Sequence, residues 1–351
     1  GHTHSRSVRY RAGGGWHLMR ELADHVRNAG ITCADNCVAS DLLLSPDGGV
    51  TGGLFWNSHE NGWHVINAGA TVLAAGGCGQ LYPITTNKPD VTGDAYALAF
   101  RAGCSLRDME FIQFTPTAVA HPDAIRGFTT GGAILGQTQV KLYNADGERF
   151  MKRYDPENME QAVRSVAARA IYREVLEGRG TDHGGVWLDM TALDGAKIDR
   201  IKPGLRDLLG KHGIDPCKDQ FEIAPSAHYC MGGIEAGPGL SPLPRLFVAG
   251  EALGGTHGAN RLSSNSLTEA NVTGKMAGEL AAEVSLASGS KPQTNTLDAA
   301  LGRVPKDIGN AEVMPRDQIK EVMSRAAGLE RSAEGIDRGI EELESFRLDH
   351  G

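Results

Sequence analysis

No run of eighteen or more apolar residues occurs in this 351-residue chain, so no segment of it reads as a membrane-spanning helix. Positive charge is not in excess either. Thirty-five Lys and Arg stand against 43 Asp and Glu, a formal net charge of −8. That balance argues against nucleic acid as the main partner, because phosphate binding requires a basic surface. The six cysteines (Cys33, Cys37, Cys78, Cys104, Cys217 and Cys230) form no CxxC pair and no Cys/His cluster at zinc spacing, and an iron–sulfur site needs a tighter set. They read as free thiols of a reducing compartment, with Cys33 and Cys37 expected to be small buried thiols rather than a disulfide. Signal-peptide pattern, internal repeat, initiator methionine and GxGxxG turn are all missing, and Gly13-Gly14-Gly15 follows no apolar strand.

What the chain does have is 40% hydrophobic residues, enough for a substantial core in more than one domain. Its most specific stretch is Leu246 to Gly274. The apolar run Leu246-Phe247-Val248-Ala249 suits a buried parallel strand, and Gly250 and Gly254-Gly255 allow close approach of the backbone to a ligand. Glu251 sits at the strand's carboxyl end, where open α/β sheets bind nucleotides and an acid can accept hydrogen bonds from sugar or ribityl hydroxyls. Ser263 to Ser266 offer N-cap oxygens to a helix running past Glu269 and Met276, whose positive amino end favours an electron-rich or anionic ring edge. A second junction repeats the pattern: Ala70 to Ala75 runs into Gly76-Gly77-Cys78-Gly79, followed by Thr85-Thr86-Asn87 and by Thr92-Gly93-Asp94 opening a helix over Ala95 to Ala102.

Elsewhere, Gly15 to Ala29 carries Trp16, Leu18, Met19, Leu22 and Val26 at helical spacing, a stripe expected to be core. Short strands are predicted at Ile31 to Cys33, Val38 to Leu44 and Val50 to Phe55, with a turn at Ser45 to Gly49. A helix is predicted over Glu160 to Glu177. Ser288 to Pro292 reads as the start of a polar linker to charged amphipathic helices at Asp317 to Ala327 and Ala333 to Phe346, whose charges are a solvated face.

The words AGGGWHLMREL, VLAAGGCGQLYPITTN, TGDAYALAFRAG, DMEFIQFTPT, GERFM, HYCMGGI and VAGEALGGTHGANRLSSNSL occur in that order from the start of the chain to roughly Leu280. In this the chain resembles the flavoprotein subunits of fumarate reductase and succinate dehydrogenase, with L-aspartate oxidase as a close relative. The resemblance implies an α/β fold: an FAD-binding domain of the glutathione-reductase-like Rossmann type lacking its N-terminal βαβ, an inserted α+β capping domain, and the start of a C-terminal helical region. The corresponding spans are 1–110 and 226–287 for the FAD domain, 111–225 for the cap, and 288–351 for linker and helices. Against that family the chain is expected to be a fragment, truncated at both ends. The cap would close over the isoalloxazine and exclude water from hydride chemistry.

The same resemblance implies site residues. Arg164 aligns with the arginine that delivers or removes the substrate proton. The family follows it with Asp, whereas Ser165 stands here, and the alternative role for Arg164 is a helix-surface pair with Glu160. His228 and Arg261 align with groups that bind substrate carboxylates, a task for which a planar guanidinium fork is suited; a core histidine and an ion pair of Arg261 with Glu251 or Glu269 are the alternatives. Thr117 and His257 complete the substrate set, His257 touching flavin or substrate or simply packing. For FAD the implied contacts are Gly76, Gly77, Thr86, Asp94, Glu251, Asn265, Ser266 and Leu267, with helix capping as the other use of Thr86 and Asp94. Two departures stand out. Thr115 replaces a substrate-contacting histidine of the family's FHPT word, and a TE-x-x-RGEG word is absent, its place taken by Ile125 to Gln137, where Thr129 or Thr130 would supply a hydroxyl. The implied activity is hydride transfer between FAD and a small dicarboxylate, with L-aspartate oxidase and a non-catalytic flavoprotein scaffold as alternatives. The implied partners are an iron–sulfur or other electron-transfer subunit, holding a cytoplasmic chain at the membrane face.

Overall fold

Elements are numbered in chain order over residues 15–287, 297–302 and 316–348, the part described by the computed structural model. They fall into two units, Gly1–Gly76 with Asp94–Met109 and Met231–Ile308, and Gly77–Gly93 with Glu110–Cys230 and Gly309–Gly351. Among the described residues the chain changes unit at Gly76–Gly77, Gly93–Asp94, Met109–Glu110 and Cys230–Met231, so the glycine turn after the strand at Thr71–Leu73 is shared between the two units.

In the first unit, the two apolar strands predicted from the glycine junctions pair with each other. β4 (Thr71–Leu73) and β11 (Leu246–Val248) run parallel with Leu246 opposite Thr71 and Val248 opposite Leu73. β11 is wholly buried, as continuous apolar strands of parallel sheets are. Behind it lies α7 (Asn265–Ala287), which buries only Glu269, Thr273 and Ala277, a stripe spaced four residues apart. The Thr273 hydroxyl accepts from the Gly250 amide (2.9 Å) and donates to the Glu269 carbonyl (2.6 Å), pinning α7 to the end of β11. An antiparallel meander, β1 (Cys37–Leu44), β2 (Val50–Asn57) and β3 (Gly62–Asn67), buries Leu43 and Leu54 against Ala300 of α8 (Leu297–Leu301). The third strand was not predicted, and Ile31 to Cys33 is not a strand. α2 (Asp94–Arg101) buries Ala95, Tyr96, Leu98 and Ala99, and a short ladder joins β5 (Leu106–Arg107) to β10 (Gly233–Ile234).

One expectation fails outright in this unit. α1 (Gly15–Asn28) forms as predicted, yet none of its residues is buried, and Trp16 is 70% exposed. Its apolar stripe meets no covering surface among the described residues. Cys33 is likewise exposed and Cys37 half-buried, not the buried thiols expected, and both are unlinked. The 288–292 linker lies outside the described residues.

In the second unit a four-stranded antiparallel sheet has the order β6 (Ile112–Val119), β9 (Phe221–Cys230), β8 (Val186–Asp189), β7 (Lys141–Tyr143). Pro116 cannot donate to the ladder, and the β6–β9 register shifts between Thr115 and Ala118. α4 (Arg164–Leu176) packs on β6 and β9 through Ala167, Ala168 and Ala170, whose small side chains permit close approach of helix to sheet. Phe150, Ile171, Leu188 and Phe221 centre the core, closed by α3 (Met151–Tyr154), α5 (Gly195–Ile201) and α6 (Leu205–Gly210). α9 (Arg316–Ala326) and α10 (Ala333–Leu348) pack on each other within a residue or two of their predicted limits. No helix of the described residues is long and apolar enough to cross a membrane.

Candidate active site

Arg164 is the first residue of α4 and is half-buried. Burial lowers the pKa of its guanidinium, because desolvation disfavours the charged form. Its Nη1 donates to Oε1 of Gln113 on β6 at 3.3 Å, and among the described residues no carboxylate lies within ion-pairing distance. The helix-surface pair with Glu160 does not form. Glu160 lies before α4, in the turn Met159–Gln161, and accepts from Arg149 at two points (Nε to Oε1 2.9 Å, Nη2 to Oε2 2.6 Å) and from the Leu142 amide. Thus the carboxylate that would have neutralised Arg164 is committed elsewhere, and a neutral amide stands beside the guanidinium. Gln113 was missed as a site residue although it lies inside the word DMEFIQFTPT; only its contact with Arg164 marks it.

His228 lies on β9. Its Nδ1 is 2.7 Å from the Thr86 hydroxyl, while the Thr86 amide donates to the Ala227 carbonyl at 2.9 Å. Thr85 makes the neighbouring contact to the same carbonyl (3.0 Å) and accepts from the Asn87 amide. Thr86 therefore orients the imidazole and caps no helix, a coupling between two words that spacing alone does not reveal. Asp94 is exposed in the first turn of α2, and the Gly77 carbonyl accepts from the Gly93 amide (3.1 Å). Gly76 has φ +77°, a left-handed conformation that glycine adopts freely.

Along β6, Thr115 and Thr117 are buried. The Thr117 hydroxyl and that of Ser226 on β9 have no partner among the described residues, and a buried unpaired hydroxyl costs about 1–3 kcal/mol. Thr130 does not offer the hydroxyl sought there: it donates to the Thr117 carbonyl (3.0 Å), and Thr129 accepts from the Gly131 amide.

In the first unit Arg261 is buried and donates Nη1 to the Leu262 carbonyl at 3.2 Å. Glu269, one of its candidate partners, instead takes Nε2 of His257 at 2.9 Å, both side chains buried. Glu251 lies half-buried in the turn Gly250–Ala252, and Tyr96 Oη ties its carbonyl (3.1 Å) to that of Gly232 (3.3 Å). Gly254 approaches the Gly233 backbone and the Arg107 side chain so closely that a Cβ would lie 2.8 Å from each; this close approach is chain to chain. Ser264 adopts φ +70° directly before α7, and Asn265, Ser266 and Leu267 form its first turn. No acidic side chain stands in that turn, so the amide end keeps its positive character, and Leu262 and Leu267 expose apolar surface beside it. An electropositive helix start flanked by apolar side chains, with a half-buried carboxylate in the same unit, fits the ring edge and hydroxyls of a flavin nucleotide.

A family model described as an FAD binding domain matches residues 1–267. The chain belongs to that family. FAD is the cofactor of the family, and the fold is that of its flavoproteins, mixed helix and sheet as in fumarate reductase FrdA. A fumarate reductase (CoM/CoB) subunit from Methanothermobacter marburgensis is 35% identical over 351 residues, covering 99% of this chain and 63% of that protein. L-aspartate oxidase of Caulobacter vibrioides is 37% identical over 361 residues, covering 99% and 65%. Among solved structures, E. coli quinol fumarate reductase FrdA superposes with a TM-score of 0.80 at 31% identity, covering 94% of this chain and 60% of that one. Mycobacterium smegmatis Sdh1 superposes with 0.78 at 32% identity, covering 94% and 57%. The chain spans about three fifths of the length of these relatives.

Proposed function

We propose that this flavoprotein chain serves hydride transfer between FAD and a small dicarboxylic acid, as fumarate reductase or succinate dehydrogenase. The observation that carries the reading is Arg164: a half-buried guanidinium whose charge is partly desolvated and that has no carboxylate partner among the described residues gains when an anion arrives to pair with it, and a dicarboxylate supplies that anion. FAD, when bound, supplies the two-electron chemistry. The chain's own residues bind, orient and protonate. Arg164, desolvated and steadied by Gln113, carries the proton delivered to or taken from the substrate carbon. His228, fixed by Thr86, and Arg261 hold carboxylates, and the unpaired Thr117 hydroxyl is available as a further donor. Glu251, Asn265, Ser266 and Leu267 hold the cofactor, as do Gly76, Gly77 and Asp94. His257, committed to Glu269, supports the loop carrying Arg261. The finer architecture follows the same reading: a Rossmann-type FAD domain with an inserted cap. An iron–sulfur or comparable electron-transfer subunit would complete the assembly and place the chain peripherally on the cytoplasmic membrane face.

The test is Arg164→Ala in the full-length protein. Turnover of fumarate or succinate falls by at least about a hundredfold, the scale of a lost general acid, while flavin absorbance is retained; unchanged turnover overturns the assignment. L-aspartate oxidation is the second reading, favoured by the Caulobacter relative, which is as similar as the Methanothermobacter fumarate reductase protein. Product analysis after incubation with aspartate separates the two. A chain that binds FAD yet shows no bleaching with any dicarboxylate and reductant would be a scaffold.

A further inference from the structure

Two cysteines that are 152 residues apart in sequence meet in the second unit. The Sγ atoms of Cys78 and Cys230 are 3.2 Å apart, and the Cys78 amide donates to the Cys230 sulfur at 3.3 Å. Both are free thiols, 4% and 1% exposed. A disulfide requires about 2.05 Å between sulfurs, so a movement of little more than one ångström links them. The other cysteines have no such neighbour among the described residues: Cys104 is buried without a sulfur partner, and Cys217 contributes only its amide, to Asp215. Tyr82 flanks the pair, and its hydroxyl donates to the Ala327 carbonyl at 3.0 Å.

We propose that Cys78 and Cys230 form a reversible intramolecular disulfide on exposure to hydrogen peroxide, and are thus a modification site of this protein. One sulfur, as thiolate, attacks the peroxide O–O bond; an S–O bond forms, and the departing hydroxide takes up the thiol proton as water. The second sulfur attacks the resulting sulfenic sulfur, the S–S bond forms, and the hydroxyl leaves with the second proton as water. Two thiols lose two electrons in all, peroxide gains them, and a dithiol reductant reverses the exchange. Peroxide is small enough for a pair this deeply buried, whereas bulky disulfide oxidants are not.

The position gives the bond a consequence. Cys78 precedes Gly79, whose Cα lies so close to Asn87 that a Cβ would meet its Oδ1 at 1.7 Å. Asn87 in turn reaches the His228 carbonyl (3.5 Å), and Thr86 holds the imidazole. Closing the two sulfurs therefore pulls on the segment that orients His228. An effect on turnover rests on the function proposed above; the chemistry of the bond does not.

The test uses the full chain with FAD bound, treated with hydrogen peroxide, then alkylated, digested and weighed without reduction. The expected result is a linked peptide pair containing Cys78 and Cys230, lighter by two hydrogens than the separate peptides, with both thiols lost to alkylation and regained after dithiothreitol. Cys104→Ser keeps the link, and Cys230→Ser loses it. The proposal is overturned if the treated wild-type protein keeps both thiols alkylatable, or carries them as separate sulfinic acids with no linked peptide. Because the wild-type readout decides the matter, a variant that fails to fold leaves it decidable, and a link that forms while turnover is unchanged would count against the active-site reading alone.

Discussion

Glu174→Gln probes the helix that carries Arg164. The Glu174 carboxylate lies on α4, wholly buried, and accepts from Arg179 at two points (2.8 and 2.9 Å), from Asn144 (2.9 Å) and from Tyr154 (2.7 Å). Burial pushes its pKa up, but the hydrogen bonds from Arg179, Asn144 and Tyr154 outweigh it and hold the group at about 2, against an ordinary 4.5. At about 1.4 kcal/mol for each tenfold change in proton affinity, the depression amounts to about 3 kcal/mol of stability. The sign follows from the direction of the shift. A depressed carboxylate stabilises the fold fully above its unfolded value and loses that contribution as pH falls from about 5 toward 2. The variant keeps an acceptor but turns an amide N–H₂ toward Arg179 and leaves that cation only the exposed Glu177 as a carboxylate partner, so a loss of about 3 kcal/mol is expected at pH 7. In thermal denaturation that is about 6–12 °C for a unit of this size. The gap between wild type and variant should narrow as pH is lowered through 4 toward 3, where the wild-type carboxylate is itself being protonated. A loss under about 1 kcal/mol at pH 7, or a gap that does not change with pH, would refute the reasoning.

Other outcomes follow from single contacts. Thr86→Val removes the hydroxyl at His228 Nδ1, and KM for the dicarboxylate should rise by about fivefold, the scale of one hydrogen bond, with kcat little changed; steady-state kinetics read both. Arg164→Lys keeps a positive charge but cannot reproduce the guanidinium's contact with Gln113, so turnover should stay at least about tenfold below wild type. Gly232→Ala would set a Cβ 2.2 Å from the Asp108 carbonyl oxygen, and a soluble yield well below wild type is expected, with whatever folds melting several degrees lower. Gly127→Ala, at φ +84° and with its Cβ 2.2 Å from the Thr85 carbonyl oxygen, should destabilise the second unit by about 2 kcal/mol or more in chemical denaturation.

The parallel strand pair was legible in the sequence because continuous apolar runs ended by glycine have few other uses, and the structure pairs them residue for residue. Arg164, His228 and Arg261 were legible only through resemblance; periodicity alone would have put Arg164 on a helix face beside Glu160. The structure removes that option because the helix begins four residues later than the pattern suggests, so that Glu160 joins Arg149. What stayed hidden are contacts between segments far apart in sequence, Gln113 with Arg164 and Thr86 with His228, since one-dimensional spacing says nothing of which strands meet. The α1 stripe was misread for the complementary reason: helical spacing shows that one face is apolar, not that anything covers it.

The second unit gathers residues from Gly77 to the helices after Arg316, and the contacts that close it are long. Tyr82 bonds the carbonyl of Ala327, and Arg331 bonds that of Glu110. During synthesis, then, neither body can be finished in turn as it leaves the ribosome, because segments of one are translated between segments of the other. Folding of such an interleaved chain waits for late sequence, and although β1 to β3 pair locally, β4 and β6 must survive unpaired until β11 and β9 arrive.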